Sequence, residues 1–411
     1  MTVKKARVGF IGLGPTRGYA LMWLSCQIEE MEIAALCDVY PDRIQAAQDY
    51  LKEVGRPEAY EYTDYRQFLK EADVDAVIIA TPWPWHVDIV VEALKAGVAV
   101  GCEVGGGYSE EDCWRLVRTV EETGTPFMFL ENCCYDKAEL LATNMTRKGL
   151  FGKIVNASGA YCHDLREEII TGREKRHYRL DQYIARNCEN YPTHELGPIA
   201  KVLNINRGNR MLSLVSVGSL SAGLKEYAKE KGRTEFDDVD FKQSDIVHTV
   251  IKCAGGETIH LKLGTTLPRF YDRAFMVEGT KGFFNQSIHA VYIDEGKETI
   301  CGDTYPNTKK ALGSAETYEE KYLPKMWKEI KPEEMEQGHG GMDLFMLREF
   351  VDCVIHKKEM PIDVYDAAAW MCISYLSEQS IACGGAPQPI PDFTRGKWIT
   401  RQPKDVIDFD E

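Results

Sequence analysis

Residues 7–18 constrain this chain more than any other stretch. Arg7, Val8, Gly9, Phe10 and Ile11 make a short, mainly apolar run. Gly12-Leu13-Gly14-Pro15-Thr16-Arg17-Gly18 follows as a glycine turn, and Ala20, Leu21, Leu24 and Ile28 then recur at helical spacing. Strand, glycine turn and helix, in that order, set the pyrophosphate of a dinucleotide against a helix N-terminus. The glycines run G-x-G-x-x-x-G, one residue longer than the common fingerprint, so the turn alone is a weak signal and its context has to decide. That context is a second strand, 32–37, ending at Asp38, 20 residues beyond Gly18. An acid at this tip accepts hydrogen bonds from an adenosine ribose and repels a 2′-phosphate, which favours NAD over NADP. The structural alternative for Asp38 is to cap the helix that opens at Pro41.

Further strands follow in the same style. Residues 76–80 are a continuous apolar run of the kind that a parallel sheet buries on both faces. The run ends in Thr81-Pro82-Trp83-Pro84-Trp85-His86, and loops at the carboxyl ends of such strands are where ligands sit. Thr81 and His86 are therefore cofactor candidates, with a structural role as the alternative for His86. A strand at 98–102 runs into Glu103-Val104-Gly105-Gly106-Gly107, and another at 127–130 ends at Glu131-Asn132. Together these segments predict a doubly wound nucleotide-binding domain over 1–134, with Gly12, Gly14, Gly18, Asp38, Thr81, His86, Glu103 and Asn132 facing the cofactor.

A chain of 411 residues exceeds one ordinary core, and a second domain is expected over 135–411. After a linking helix at 135–150, segments at 154–160, 212–218, 246–252, 258–266 and 273–278 alternate apolar with polar, as an open, mainly antiparallel sheet with one wet face does. The fold class is α/β, a Rossmann domain followed by an α+β domain. Residues 225–240 read as a charged, mobile surface insertion. Two late helices are expected at 342–355 and 364–381.

Chemistry concentrates in Tyr191-Pro192-Thr193-His194, read as the start of a helix. Residues three apart project from one helical face, so Tyr191 and His194 can address a single small molecule, and both side chains can move protons. Two satisfied residues at a domain seam are the plainer alternative. Four further polar clusters, at 161–166, 178–180, 269–273 and around His339, favour a shared substrate cleft.

The formal net charge of -15 argues against nucleic acid or an anionic membrane as the main partner. Thirteen cysteines without a C-x-x-C pair fit reduced thiols, and nine histidines without H-x-x-x-H spacing give no metal site. Lys4, Lys5 and Arg7 lead straight into the first strand rather than into a cleavable apolar core, so a cytoplasmic location is expected.

The two-domain plan resembles the Gfo/Idh/MocA oxidoreductases, in which Glu-Lys-Pro usually follows the fifth strand; here Glu103-Val104-Gly105 lacks the lysine. Glu131-Asn132-Cys133-Cys134-Tyr135, Tyr161-Cys162-His163-Asp164-Leu165-Arg166, Tyr191-Pro192-Thr193-His194, Leu203-Asn204-Ile205-Asn206-Arg207-Gly208, Gly338-His339-Gly340-Gly341-Met342-Asp343 and the run from Asp363 to Trp370 look like glycoside hydrolase family 109. The resemblance implies an NAD-dependent glycosidase, first known as α-N-acetylgalactosaminidase. Its cycle would be C3 oxidation, C2 deprotonation, elimination of the aglycone, water addition at C1 and re-reduction, with tightly held NAD regenerated in each turnover. It also implies that Tyr161, Arg179, Tyr191, His194 and Tyr271 line the sugar subsite, with His163 beside them. His194 and Tyr191 would handle the C3 hydroxyl and Tyr161 would be the C2 base, its pKa lowered by Arg179. A homo-oligomer is a further family expectation. Glu195 stands where the family more often has Gly, and Gly105-Gly106-Gly107 replaces a proline-containing turn. Both departures leave the identity of the sugar open. The competing reading is a sugar 3-dehydrogenase that releases a ketosugar.

Overall fold

The computed structural model describes residues 4–294 and 313–409. The chain forms two compact units, Met1–Tyr135 with Glu329–Met371, and Asp136–Lys328 with Cys372–Glu411.

The first unit is built on six parallel strands: β1 (Ala6–Ile11), β2 (Met31–Cys37), β3 (Tyr60–Tyr62), β4 (Ala76–Ile79), β5 (Ala99–Cys102) and β6 (Phe127–Phe129), in the order β3-β2-β1-β4-β5-β6. The apolar runs of β1, β4 and β5 are buried because helices cover the sheet. The helices Gly18–Ser25, Pro41–Glu53, Tyr65–Glu71, His86–Lys95 and Glu110–Thr123 supply the crossovers. Ser109 caps the last of these through Asp112 N, and Gly124 closes it in the left-handed conformation. Strand β3 lies at the sheet edge; it is three residues long and largely exposed, so no apolar pattern marks it in the sequence.

The first unit also holds a segment that the sequence reading placed in the second domain. Residues 329–371 return to the sheet, and the helix Met342–His356 packs its Phe350 ring against Gly101 of β5. A side chain at Gly101 would come within 3.1 Å of that ring. The backbone of Ile362 accepts a hydrogen bond from Phe129 of β6. An uninterrupted second domain over 135–411 therefore gives way to one from which this segment departs. Its cause is non-local, an apolar helix face that fits β5 and β6 from more than 200 residues away.

The second unit is organised by nine strands: β7 (Ile154–Cys162), β8 (Met211–Gly218), β9 (Val247–Cys253), β10 (Thr258–Gly264), β11 (Met276–Gly279), β12 (Gly282–Asn285), β13 (Ala290–Ile293), β14 (Gly313–Ser314) and β15 (Gln388–Pro389). The order is β14-β13-β12-β11-β7-β10-β9-β8-β15, and every pairing is antiparallel except β7 with β10. That central parallel pair matters for the site, because it brings two carboxyl ends to one edge of the sheet. There His163 N donates to Gly264 O at 3.0 Å, and Cys162 and Asp272 exchange hydrogen bonds at 3.2 and 2.9 Å. The segments that follow β7 and β10 are thereby pinned side by side.

Two expectations change in this unit. The strand read at 273–278 begins only at Met276, because Ala274 takes a left-handed φ of +44° and interrupts the extended run. Residues 225–240 hold the helix Gly223–Glu230, which buries Leu224 and Ala228, followed by a short turn of helix at Thr234–Phe236, whose Phe236 ring lies 5.8 Å from that of Phe241. Those apolar anchors make the stretch a folded element rather than a mobile insertion. No helix among the described residues is long and apolar enough to cross a membrane.

Candidate active site

In the first unit the predicted cofactor residues lie at the carboxyl ends of β1, β2, β4, β5 and β6. Gly12 has φ +91°, and a side chain there would meet the backbone of Ala80 at 2.7 Å; one at Gly18 would come within 2.0 Å of Gly12 O. At Gly14, by contrast, it would meet only Arg43 Nη1, at 3.9 Å. The outer glycines close the turn, and the middle one leaves room for a pyrophosphate to approach the backbone. Asp38, 5% exposed, accepts from Leu13 N at 2.7 Å and from Tyr40 N at 3.0 Å, so its carboxylate is set at the tip of β2 and retains lone pairs for a ribose. The buried Thr81 hydroxyl has no protein partner, which suits a ligand group. These features fit a dinucleotide.

His86 joins two of these loops. Its ring is buried, with Thr81 O 2.6 Å from Nε2 and Gly105 O 3.0 Å from Nδ1. Burial lowers its pKa against the opposing pull of the two carbonyls. His86 thus ties the loop after β4 to the loop after β5, which is the structural alternative stated above.

Glu103 and Asn132 belong to a network that the sequence did not reveal. Arg17 donates to Glu103 at 2.6–2.8 Å and to Asp343 at 2.8 Å. Asn132 Nδ2 donates to the other Asp343 oxygen at 2.7 Å, and His339 Nδ1 lies 2.7 Å from Asp343 Oδ2. Burial opposes the charge of Arg17, but Asp343 and Glu103 more than offset it. Burial likewise opposes the Asp343 carboxylate, yet Arg17 and His339 hold it well below the usual range. The sequence grouped His339 with the substrate clusters; the structure puts it on this network. Asp343 sits one residue after Met342 in a motif already singled out, so the signal was present but carried no indication of the partner.

In the second unit the parallel β7/β10 edge gathers the predicted substrate residues. Tyr161 is the hub, its ring centroid lying 4.6 Å from Tyr191, 5.5 Å from His194, 6.1 Å from His163 and 6.3 Å from Tyr271. The Tyr161 hydroxyl is 3.5 Å from His163 Nδ1, and the His163 and Tyr271 rings are 5.2 Å apart. Tyr191 and His194 meet at 4.7 Å, although Tyr191 precedes the helix Thr193–Val202, whose N-cap is Pro192. A turn into the helix, rather than a shared helical face, brings the two together.

Arg179, 9% exposed, lies with its guanidinium carbon 5.0 Å from the Tyr191 ring centroid and its Nε 2.9 Å from Glu168. Burial works against its charge, and the phenols of Tyr161 and Tyr178 with Glu168 more than compensate. Asp164 and Arg166 are engaged with each other at 2.7 Å, and Tyr178 stacks on His177 at 4.8 Å; these polar residues lie outside the ring cluster around Tyr161.

Glu195 follows His194 on the same helix and is buried. Its Cβ packs against Gly159 of β7, where an added side chain would come within 3.0 Å of it. Glu195 (2% exposed) and Glu189 (0%) are buried and interact with each other. Burial pushes Glu189 up to about 8, and burial together with the neighbouring Glu189 raises Glu195 above the ordinary carboxylate range.

A six-stranded Rossmann sheet, paired with a second unit whose sheet edge carries tyrosines, histidines and an arginine, defines an NAD-dependent enzyme of the oxidoreductase fold. Residues 6–130 match the model for the oxidoreductase family, NAD-binding Rossmann fold. Among solved structures, levoglucosan dehydrogenase in complex with NADH and levoglucosan shares the fold at TM-score 0.69 and 18% identity, covering 94% of this chain and 100% of that one. The scyllo-inositol dehydrogenase from Lactobacillus casei with bound NAD(H) and scyllo-inositol does so at TM-score 0.66 and 15% identity, covering 94% and 99%. Residues 135–400 match the model for glycosyl hydrolase 109, C-terminal domain. The chain belongs to glycosyl hydrolase family 109, and its cofactor is NAD. Curated relatives include an alpha-N-acetylgalactosaminidase from Tannerella forsythia, 38% identical and aligned over 97% of this chain and 88% of that protein. A glycosyl hydrolase family 109 protein from Stenotrophomonas maltophilia is 37% identical over 99% and 92%.

Proposed function

We propose that this protein is a glycosidase of the α-N-acetylgalactosaminidase type that works by transient oxidation of its sugar. The observation that carries the reading is the Tyr161 hub, where one phenol meets Tyr191, His194 and His163 in ring contact and is coupled to the buried charge of Arg179. This is a proton-handling cluster built around a phenol and imidazoles, the groups that a route through a transient ketone needs.

NAD, when bound, supplies a reversible hydride acceptor for C3 of the sugar. His194 and Tyr191 hold the C3 hydroxyl, and His194 takes its proton as the carbonyl forms. The ketone acidifies the neighbouring C2 proton, which Tyr161 removes with Arg179 favouring its ionised form. The aglycone leaves from C1 by elimination. Water then adds its hydroxyl at C1 and its other proton neutralises the departed aglycone anion, while Tyr161 returns the C2 proton and His194 the C3 proton as the alcohol is restored. Tyr271 and His163 line the sugar. Gly12, Gly14, Gly18 and Asp38 hold the dinucleotide, with Thr81, Glu103 and Asn132 at the strand ends. The exposed sheet face carrying Val217 and Val250 is the surface on which a homo-oligomer would form.

The test is turnover of an aryl glycoside panel, including N-acetylgalactosaminides, by protein as purified and without added NAD. Aglycone release with no net accumulation of reduced nicotinamide is the expected result. Reduced nicotinamide that accumulates with supplied NAD⁺, together with a ketosugar and no aglycone, would instead identify a dehydrogenase.

A further inference from the structure

A redox-neutral cycle returns its hydride in every turnover, so the cofactor need not leave, and something in the fold has to keep it. The most connected group beside the cofactor loops is Asp343, which no motif reading had assigned. Its side chain is 1% exposed, and both oxygens are engaged. Oδ2 accepts from Arg17 at 2.8 Å and faces His339 Nδ1 at 2.7 Å, and Oδ1 accepts from Asn132 at 2.7 Å. The other arm of Arg17 is held by Glu103. One carboxylate therefore cross-links the glycine turn after β1 with the end of β6, and through Arg17 with the end of β5. These are three of the segments that border a dinucleotide in such a sheet.

The link is made by side chains alone, and it is set by a specialised backbone. Gly338, His339, Gly340 and Gly341 have φ of +40°, +53°, +74° and +97°, four left-handed residues in succession ahead of the helix Met342–His356. Such a run is costly to form and turns the chain so that His339 reaches back to Asp343 four residues on. The His339 side chain is 56% exposed, so it closes the outer side of a carboxylate that is otherwise buried.

We propose that Asp343 is a positioning residue for the cofactor site. By fixing Arg17, Asn132 and, through Arg17, Glu103, it keeps NAD bound between turnovers, and His339 is its solvent-side closure. The proposal rests on the redox-neutral reading given above. It does not place Asp343 in the chemistry on the sugar.

The experiment compares wild-type protein with Asp343→Asn and His339→Ala. It reads the NAD carried through purification, the NAD dissociation rate under native conditions, and the dependence of turnover on added NAD⁺. The expected result is near-stoichiometric NAD in the wild type and dissociation at least about tenfold faster in Asp343→Asn, the loss falling on apparent NAD⁺ affinity more than on kcat. His339→Ala, at a half-exposed side chain that the fold does not need, should show a smaller rise of a few fold. Wild-type dissociation rates in both variants, with wild-type NAD content, would overturn the proposal while leaving the redox-neutral reading intact. A wild type that exchanges NAD freely in every turnover would instead defeat that reading, and the proposal with it. Should Asp343→Asn fail to fold, His339→Ala alone decides, and an unchanged dissociation rate there overturns the proposal.

Discussion

The two units solve the same problem, holding a small polar ligand, with opposite means. The first uses ions: Arg17 is clasped by Glu103 and Asp343, Asp343 is backed by Asn132 and His339, and each charge has its partner. The second uses rings: Tyr161 at the centre of Tyr191, His194, His163 and Tyr271, with the buried guanidinium of Arg179 on Tyr191 and two buried acids whose pKa values are raised. The difference teaches what each ligand asks for. A retained dinucleotide rewards a locked, charge-balanced frame, because breaking one partner strands a buried charge. The five steps proposed for the sugar call for groups that can gain and lose a proton, which fully paired ions cannot do.

The sharpest way to break the comparison is to remove proton transfer from the ring side alone. Tyr161→Phe and His194→Ala should each cut turnover by about 10²–10⁴, the usual worth of positioned acid–base catalysis, while leaving the NAD content of the protein unchanged. Loss of NAD in either variant would show that the two sites are not separately built. The reverse break is Gly18→Ala, whose new Cβ would lie 2.0 Å from Gly12 O and must displace the turn. Purified Gly18→Ala is expected to carry little or no NAD and to release aglycone only with added NAD⁺, if at all. Full NAD content by release and absorbance would contradict the cradle assigned to this turn.

A smaller effect sharpens the contrast in charge. Burial raises the Glu189 pKa to about 8 in the folded state against about 4.5 in the unfolded chain, so the folded state binds the proton more tightly. Stability from this group is therefore fully present below about pH 4.5 and is lost as the pH rises toward about 8, at roughly 1.4 kcal/mol per pH unit for each group that titrates. Glu189→Gln removes that slope. Urea midpoints measured from pH 5 to pH 8 should fall less in the variant than in the wild type, and parallel curves would mean that the acid is not buried in this way. At the small end, Arg118→Ala breaks an exposed pair with Glu111 at 3.0 Å and should change stability by less than about 1 kcal/mol, as a baseline for the buried ions.

The same contrast explains what could be read from the sequence. Strands β1, β4 and β5 announce themselves because burial on both faces demands unbroken apolar runs, and the glycine turn because only glycine fits where Ala80 and Gly12 O crowd it. The ring cluster was legible residue by residue from the family motifs, since Tyr161, Arg179, Tyr191, His194 and Tyr271 gather in one unit. What was not legible is relational. Nothing local marks Asp343 as the partner of Arg17 and Asn132, and nothing in 329–371 says that it rejoins the first sheet. Strands β12 and β13, four residues each, are too short to show a period. The Glu189 and Glu195 pair is visible as two letters, but its raised pKa is a property of burial, which only the fold supplies.

In the proposed cycle the sugar is oxidised at C3, loses its aglycone by elimination and is restored within one turnover. This is tested most directly by running the hydrolysis of an aryl glycoside in D₂O, without added NAD, and locating deuterium in the released sugar. The account predicts aglycone release with deuterium at C2, placed there when Tyr161 gives back a solvent-exchanged proton. Full release with only hydrogen at C2, at early and late times alike, would contradict it and return the reaction to direct displacement at C1.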